Sequence, residues 1–283
     1  MTTADQALLR QLSENSLRYR DPLAAIDWSQ LDAGSFWLPE TVLSLYGLAA
    51  YDDLALDVRR RLSQYEFINT MCAGLWLERV FMQRLSRRLD ARLPAAEYEY
   101  FLHEMREEAG HSLMFLRAIA AAGLELPAGA WRPPALADWL ARRAPAGGAL
   151  FWAATVVAED VPDKFNRHLR GLAGVNAAVR DICTLHCIDE ARHIAAARAQ
   201  LETALARLPA VALSLLNPLL RLLLRQYAAV FYQPPAAFYA LSGLTHAERW
   251  RRMALRNPAR RAFIRERLAP TLHLFEGYGF RLQ

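Results

Sequence analysis

The chain has 283 residues, 54% of them hydrophobic, enough for one large domain with a substantial core. Of 34 basic residues only Lys164 is a lysine, and the formal charge of +5 is dispersed, so a solvated arginine-rich surface is expected and nucleic-acid binding is not indicated. Three cysteines (Cys72, Cys183, Cys187) make no disulfide framework, MTTADQALLRQLSENS carries no basic-then-apolar leader, and Asn217, Pro218, Arg221 and Arg225 interrupt the most apolar stretch; the expectation is a soluble cytoplasmic protein with no membrane partner.

Sparse glycine and an excess of Ala, Leu, Arg and Glu favour helix. Residues 4–19 predict a short helix, followed by an irregular stretch with Trp28 and Trp37. Pro39 suits a first helical turn and predicts a helix to about Tyr51. A long helix is expected from about Asp57 to Leu89, broken at Arg92-Leu93-Pro94, and another from about Ala95 to Ala122, ended by Gly123. Residues 124–147 read as a connection with one short helix near 135–143. A third long helix, about Ala149 to Leu172, contains Pro162, which removes the bond to the Ala158 carbonyl and predicts a kink or bulge beside Glu159. The fourth spans about Val175 to Leu208, and after Pro209 come an apolar helix, the Pro234-Pro235 break and smaller helices. Thr245-x-x-Glu248 matches a capping box and Asn257-Pro258 opens the last helix. No strand pattern competes and no domain boundary is visible. The fold expected is all-α, a ferritin-like four-helix bundle over about 57–208 with additional N- and C-terminal helices.

The chemistry lies in a repeated pattern. In DICTLHCIDEARH, His186, Glu190 and His193 fall within about 60° on one helix face. Glu108 and His111 repeat the E-x-x-H spacing. Glu78 precedes Glu108 by 30 residues and Glu159 precedes Glu190 by 31. Folding the first helix pair about residue 93 puts Glu78 and Glu108 at equal height, and folding the second near 173–174 brings Glu159 within one turn of Glu190. Carboxylates with imidazoles suit iron or manganese, whereas structural zinc leans towards thiolates. Two helices giving Glu and two giving E-x-x-H match ferritin-like di-iron and di-manganese sites. Glu108 and Glu190 are expected to bridge, Glu78 and Glu159 to be terminal, His111 and His193 to give one nitrogen per metal, and His186 to add another. Glu107 and Asp189 each turn about 100° from a bridging glutamate, so Asp189 is expected to orient His111 and Glu107 to orient His193.

Other readings compete at single positions. Glu66 rivals Glu78 but falls some three turns from Glu108. Glu104, one turn before Glu108, is a neighbouring or substitute ligand, and Asp160 is expected to face away. His186 has a plainer reading as a core histidine. Cys183 and Cys187 raise a zinc site but read better as small wall residues. His103, His168, His246 and His273 fit no spacing, and Tyr65, Tyr98 and Tyr100 read as packing residues.

The residues Glu78, Glu108-x-x-His111, Glu159 and His186-x-x-x-Glu190-x-x-His193 give the chain its resemblance, over about 60–200, to the p-aminobenzoate N-oxygenase (AurF-type) family of non-haem di-iron oxygenases. The third histidine carries the likeness. The resemblance implies a helical homodimer with two iron ions, or Fe/Mn, that binds dioxygen as co-substrate. A peroxo-diferric species would then oxidise an arylamine to a hydroxylamine and onwards to a nitro group. The family's arginine contact to a substrate carboxylate has no clear counterpart; Arg260, Arg261 and Arg265 are candidates by location, and the substrate-binding residues stay unknown. With no flavin or nicotinamide fingerprint, an external electron donor is implied. The competing readings are a di-iron hydroxylase of a C–H bond in a biosynthetic intermediate, and a non-catalytic ferritin-like metal-binding protein.

Overall fold

A computed structural model describes residues 3–282 apart from 91 and 144–146. The helices are α1 (Thr3–Ser16), α2 (Pro22–Ala25), α3 (Ala49–Asp52), α4 (Leu56–Arg88), α5 (Ala95–Ala121), α6 (Ala135–Arg143), α7 (Ala149–Gly171), α8 (Ala177–Leu205), α9 (Ala210–Tyr232), α10 (Ala236–Leu241), α11 (Ala247–Arg256) and α12 (Pro258–Gly277). The long helices follow the sequence punctuation. Pro94 caps α5, and the Asn176 side chain accepts from the Ala178 and Val179 N–H groups at the start of α8. Gly174, at φ 78°, makes the tight turn before it.

α4 packs on α5 and α7 on α8, the two antiparallel pairs of a bundle. The added helices have definite places. α1 lies across α5 and α8, while α9 lies across α7 and α4, so each covers one seam between the pairs. Large side chains such as Phe67, Tyr100 and Phe101 are fully buried between the layers, each worth roughly 1.5–3 kcal/mol of transfer free energy. The three cysteines are free and buried. Among the described residues, no helix is long and apolar enough to cross a membrane.

Two local expectations fail. Pro39 does not open a helix to Tyr51; it caps a single 3-10 turn, Glu40–Val42, and the chain then extends at Leu43. The cause is tertiary. The buried Glu66 carboxylate takes the Ser44 N–H at 2.9 and 3.0 Å and the Ser44 hydroxyl at 2.5 Å, and Leu43 and Leu45 are buried on either side. Thr245 makes no capping box, because His246, in the left-handed region at φ 55°, is the N-cap of α11 and no side chain caps it. The Asn257 cap of α12 forms, accepting from Ala259 N–H at 3.0 Å. α7 continues as α-helix through Pro162.

Candidate metal centre

Each long helix brings one turn to a common level. Glu78 comes from α4, Glu108 and His111 from α5, Glu159 from α7, and His186, Glu190 and His193 from α8; none is more than 4% exposed. Their donor atoms gather in two adjoining groups, Glu78/His111/His186/Glu190 and Glu108/Glu159/His193, with the atoms of each group within 4.8 Å of one another. All seven sequence-selected residues therefore meet, and they meet because the hairpin turns at 93 and 174 fold equal helix lengths back on each other.

The central carboxylates each reach both sides. Glu108 presents Oε2 to His111 Nδ1 at 3.5 Å and Oε1 to His193 Nδ1 at 3.3 Å. Glu190 Oε1 lies 3.6 and 3.7 Å from the same nitrogens and 3.4 Å from His186 Nε2. Glu78 Oε1 lies at one end, 3.5 Å from His186 Nε2 and 3.8 Å from His111 Nδ1. These separations are too long for good hydrogen bonds. Accordingly both oxygens of Glu108 and of Glu190, Glu159 Oε1, His111 Nδ1 and His193 Nδ1 are buried without a hydrogen-bond partner. Such orphaned polar atoms are costly and rare in native proteins. Here they all point at one another, which makes them the donor set of a candidate metal centre.

Electrostatics give the same account. Burial, and then the charges of Glu108 and Glu190, push Glu78 and Glu159 well above the usual carboxylate range. Burial also acts against Glu108, but His193 and His111 overcome it and hold that carboxyl below its ordinary value. Burial would lower His111, yet Asp189 and Glu108 raise it to about 9, and His193 is raised well above its usual value by Glu108, Glu190 and Glu107. Burial lowers His186 to about 4. Four buried carboxylates thus draw protons and imidazolium charge around themselves. Two divalent cations would balance the same four charges. The residues present fit a pair of divalent metals.

The histidines are oriented from outside the cluster. His111 Nε2 lies 3.2 Å from Asp189 Oδ2 and His193 Nε2 lies 2.9 Å from Glu107 Oε2. Sequence reading missed what joins these carboxylates. Arg192 is bound to Asp189 and lies 2.9 Å from Glu107 Oε1, so one guanidinium holds both; its place three residues after Asp189 was the available signal. Missed too was Tyr19, which seals this seam with Arg106 over its ring at 4.7 Å. Gly110 permits it, since a Cβ there would stand 1.9 Å from the Tyr19 hydroxyl oxygen.

The opposite seam is apolar. A small cavity of about 20 Å³, room for roughly one water, is walled by Met71, Phe115, Phe165, Ile182 and Phe231 and floored by Glu78, Glu159 and His186. Gly74 is required here: a Cβ would stand 2.4 Å from the Phe115 ring. The Asn166 amide, also missed, contacts His186 Nδ1 at 3.0 Å.

The competing residues lie elsewhere. Glu66 is engaged by Ser44 and Arg260. Asp160 faces α12, bound to Thr271 and, at 2.6 Å, to Lys164. Glu104 joins neither donor group; burial raises it to about 8. Cys183 and Cys187 are buried beside α7, bonded to Asn166 and to the Asp163 carbonyl, and join neither group. Tyr65 bonds the Glu125 carbonyl. Arg260, Arg261 and Arg265 line a separate groove of about 700 Å³ rather than the small cavity, and Arg260 is held by Glu66, the Val42 carbonyl and the Tyr232 carbonyl.

A four-helix bundle with this buried cluster defines a ferritin-like protein with a candidate di-metal site. The chain belongs to the p-aminobenzoate N-oxygenase AurF family, whose model matches residues 2–279, and it is thereby an oxidoreductase of the oxygenase type. Uncharacterized proteins of Mycobacterium bovis and Mycobacterium tuberculosis are each 25% identical over 256 residues, covering 84% of this chain and 74% of theirs. Among solved structures, a mutant of R2-like ligand-binding oxidase with an aerobically reconstituted Mn/Fe cofactor matches with a TM-score of 0.54 and 15% identity, over 97% of this chain and 94% of that one. A second mutant with the same cofactor gives 0.54 and 15% over 92% of each. These likenesses establish the fold.

Proposed function

We propose that this protein is a dioxygen-dependent di-metal monooxygenase that N-oxygenates an amine, with an arylamine as the leading substrate class. The observation carrying this reading is the set of inward-facing, unpartnered donors on four helices. Glu78, His111, His186 and Glu190 would hold one metal, Glu108, Glu159 and His193 the other, with Glu108 and Glu190 spanning the two. Two irons, or iron with manganese as in the cofactor named for the structural neighbours, would supply the reduction of dioxygen at this site.

The protein's own part is to hold charge, exclude water and orient. Asp189 and Glu107 fix the His111 and His193 rings with Nδ1 inward. The aromatic wall of the small cavity keeps bulk water from the reacting end and leaves space next to Glu78 and Glu159, where an amine nitrogen would sit. That space is narrow, so productive binding requires the Phe115, Phe165 or Phe231 ring to turn. One turnover to the hydroxylamine consumes an amine, dioxygen, two electrons and two protons and releases water. The electrons come from an external donor. A homodimer is part of the reading; Val211, Leu215 and Leu222, exposed on one face of α9, offer an apolar strip for it.

The test is metal content of protein from iron-replete cells, followed by anaerobic reduction and oxygen exposure with an arylamine panel. About two metals per chain and amine-dependent oxygen uptake yielding hydroxylamine or nitro product support the reading. Oxygen uptake yielding a C-hydroxylated product would replace it with the hydroxylase alternative. Iron oxidation indifferent to any organic substrate would leave a metal-handling protein.

A further inference from the structure

His186 meets the cluster the opposite way round from its two neighbours. His111 and His193 turn Nδ1 inward and set Nε2 on a carboxylate. His186 turns Nε2 inward, 3.5 Å from Glu78 and 3.4 Å from Glu190, and its Nδ1 faces the neutral amide of Asn166 at 3.0 Å. Asn166 lies two helical turns after Glu159 on the same face of α7, so the segment that supplies one carboxylate also supplies this amide.

A neutral imidazole has one N–H and one lone pair, and a nitrogen holding a proton cannot bind a metal. For Nε2 to coordinate, the proton must sit on Nδ1, and Nδ1–H then needs an acceptor. Asn166 Oδ1 is the acceptor within reach. The amide reaches that state by a half-turn about its terminal torsion, exchanging oxygen and nitrogen of nearly equal size. Its other atom faces Cys183 Sγ, 3.6 Å from Oδ1. Sulfur donates and accepts weakly, so it tolerates either amide orientation. A carboxylate in place of Asn166 would accept from Nδ1–H in either orientation, and a leucine would leave Nδ1–H buried and unpaired.

We propose that Asn166 is a positioning residue that fixes the His186 tautomer, with Nδ1 protonated and Nε2 free, for the metal held with Glu78, His111 and Glu190. This inference rests on the di-metal reading above. It predicts that the two metals respond differently to change at position 166, because Glu108, Glu159 and His193 have no contact with the amide among the described hydrogen bonds.

The experiment compares wild type, Asn166→Leu and Asn166→Asp as full-length, chelator-treated protein labelled with ¹⁵N-histidine, to which zinc is added stepwise. Nitrogen–proton correlation spectra report which His186 nitrogen is protonated, and titration with zinc reports metal affinity. Circular dichroism checks that each variant is folded. Expected for wild type is a protonated Nδ1 on His186. In Asn166→Leu one of the two zinc sites should weaken about 10- to 100-fold, with the other unchanged, and at zinc concentrations too low to fill the weakened site His186 should lose that tautomer. Asn166→Asp should restore the tautomer. Wild-type binding of two metals with Asn166→Leu unchanged in tautomer and affinity overturns the inference and leaves the di-metal reading standing. Restoration failing in a folded Asn166→Asp also overturns it. A wild-type protein that takes up no metal overturns both.

Discussion

The two seams of the bundle differ in kind although each flanks the same cluster. Beneath α1, between α5 and α8, the side chains behind the cluster are charged: Glu107, Asp189, Arg192 and Arg106. Beneath α9, between α4 and α7, they are aromatic and aliphatic, with Asn166 the polar group that touches an inward-facing histidine. The charged seam holds imidazoles on carboxylates; the apolar seam walls the small cavity beside Glu78, Glu159 and His186, where the amine is proposed to bind. A ring held by a carboxylate, His111, and a ring held by an amide, His186, thus stand side by side with centroids 4.5 Å apart, and only the second borders the cavity.

Removing what the seams share should have the largest effect. Glu190→Ala deletes the carboxylate that faces all three histidines, and metal content by mass spectrometry should fall from about two per chain to less than one. A variant that retained both metals would make Glu190 a bystander. Next is the charged seam. Arg192→Leu leaves Glu107 and Asp189 buried without their shared cation, at a cost of roughly 3–5 kcal/mol in chemical denaturation; a loss under 1 kcal/mol would mean the seam opens to water.

Acidity separates the metal-loaded from the chelated protein. Glu104 is raised from 4.5 to about 8 chiefly by burial, and His111 from 6.5 to about 9 by Asp189 and Glu108 against burial. Both hold protons more tightly in the fold than in the unfolded chain. Their contribution is complete below the unfolded values and is lost as pH rises through about 8 and about 9. Chelator-treated protein should therefore melt lower at pH 9 than at pH 7, by roughly several degrees, and metal loading should flatten that slope. An apoprotein whose melting point rises over this range would contradict the charge account.

Smaller effects sharpen the contrast. Asp189→Asn and Glu107→Gln should each weaken metal binding about 10- to 100-fold with little change in which amines are oxidised. Phe231→Leu, on the apolar side, should cost about 1 kcal/mol and leave metal affinity alone while admitting bulkier amines. Reversal of these two patterns would exchange the roles assigned to the seams.

Much of the site was legible because helix geometry is rigid. The spacing of His186, Glu190 and His193 is set by 3.6 residues per turn whatever surrounds it, and the matched distances from Glu78 to Glu108 and from Glu159 to Glu190 carry the antiparallel register. Even the contacts of Asp189 and Glu107 follow from a turn of about 100°. The segment after Pro39 was illegible for the opposite reason. Its local signal favoured a helix, but Glu66, far along the chain, takes the Ser44 backbone and hydroxyl and draws the segment into an extended path. Thr245 likewise lost its cap to a turn at His246.

By itself, then, the sequence determined the all-α bundle and the seven residues that converge, because both depend on periodicities that each helix carries alone. The tertiary structure decided the rest. It decided that Arg192 joins the two orienting carboxylates, that Tyr19 lies against Gly110, that Phe115 fits over Gly74, and that an amide on α7 meets the outward nitrogen of His186 on α8. Each of these is a contact between separate segments of the chain, fixed by how their surfaces interlock.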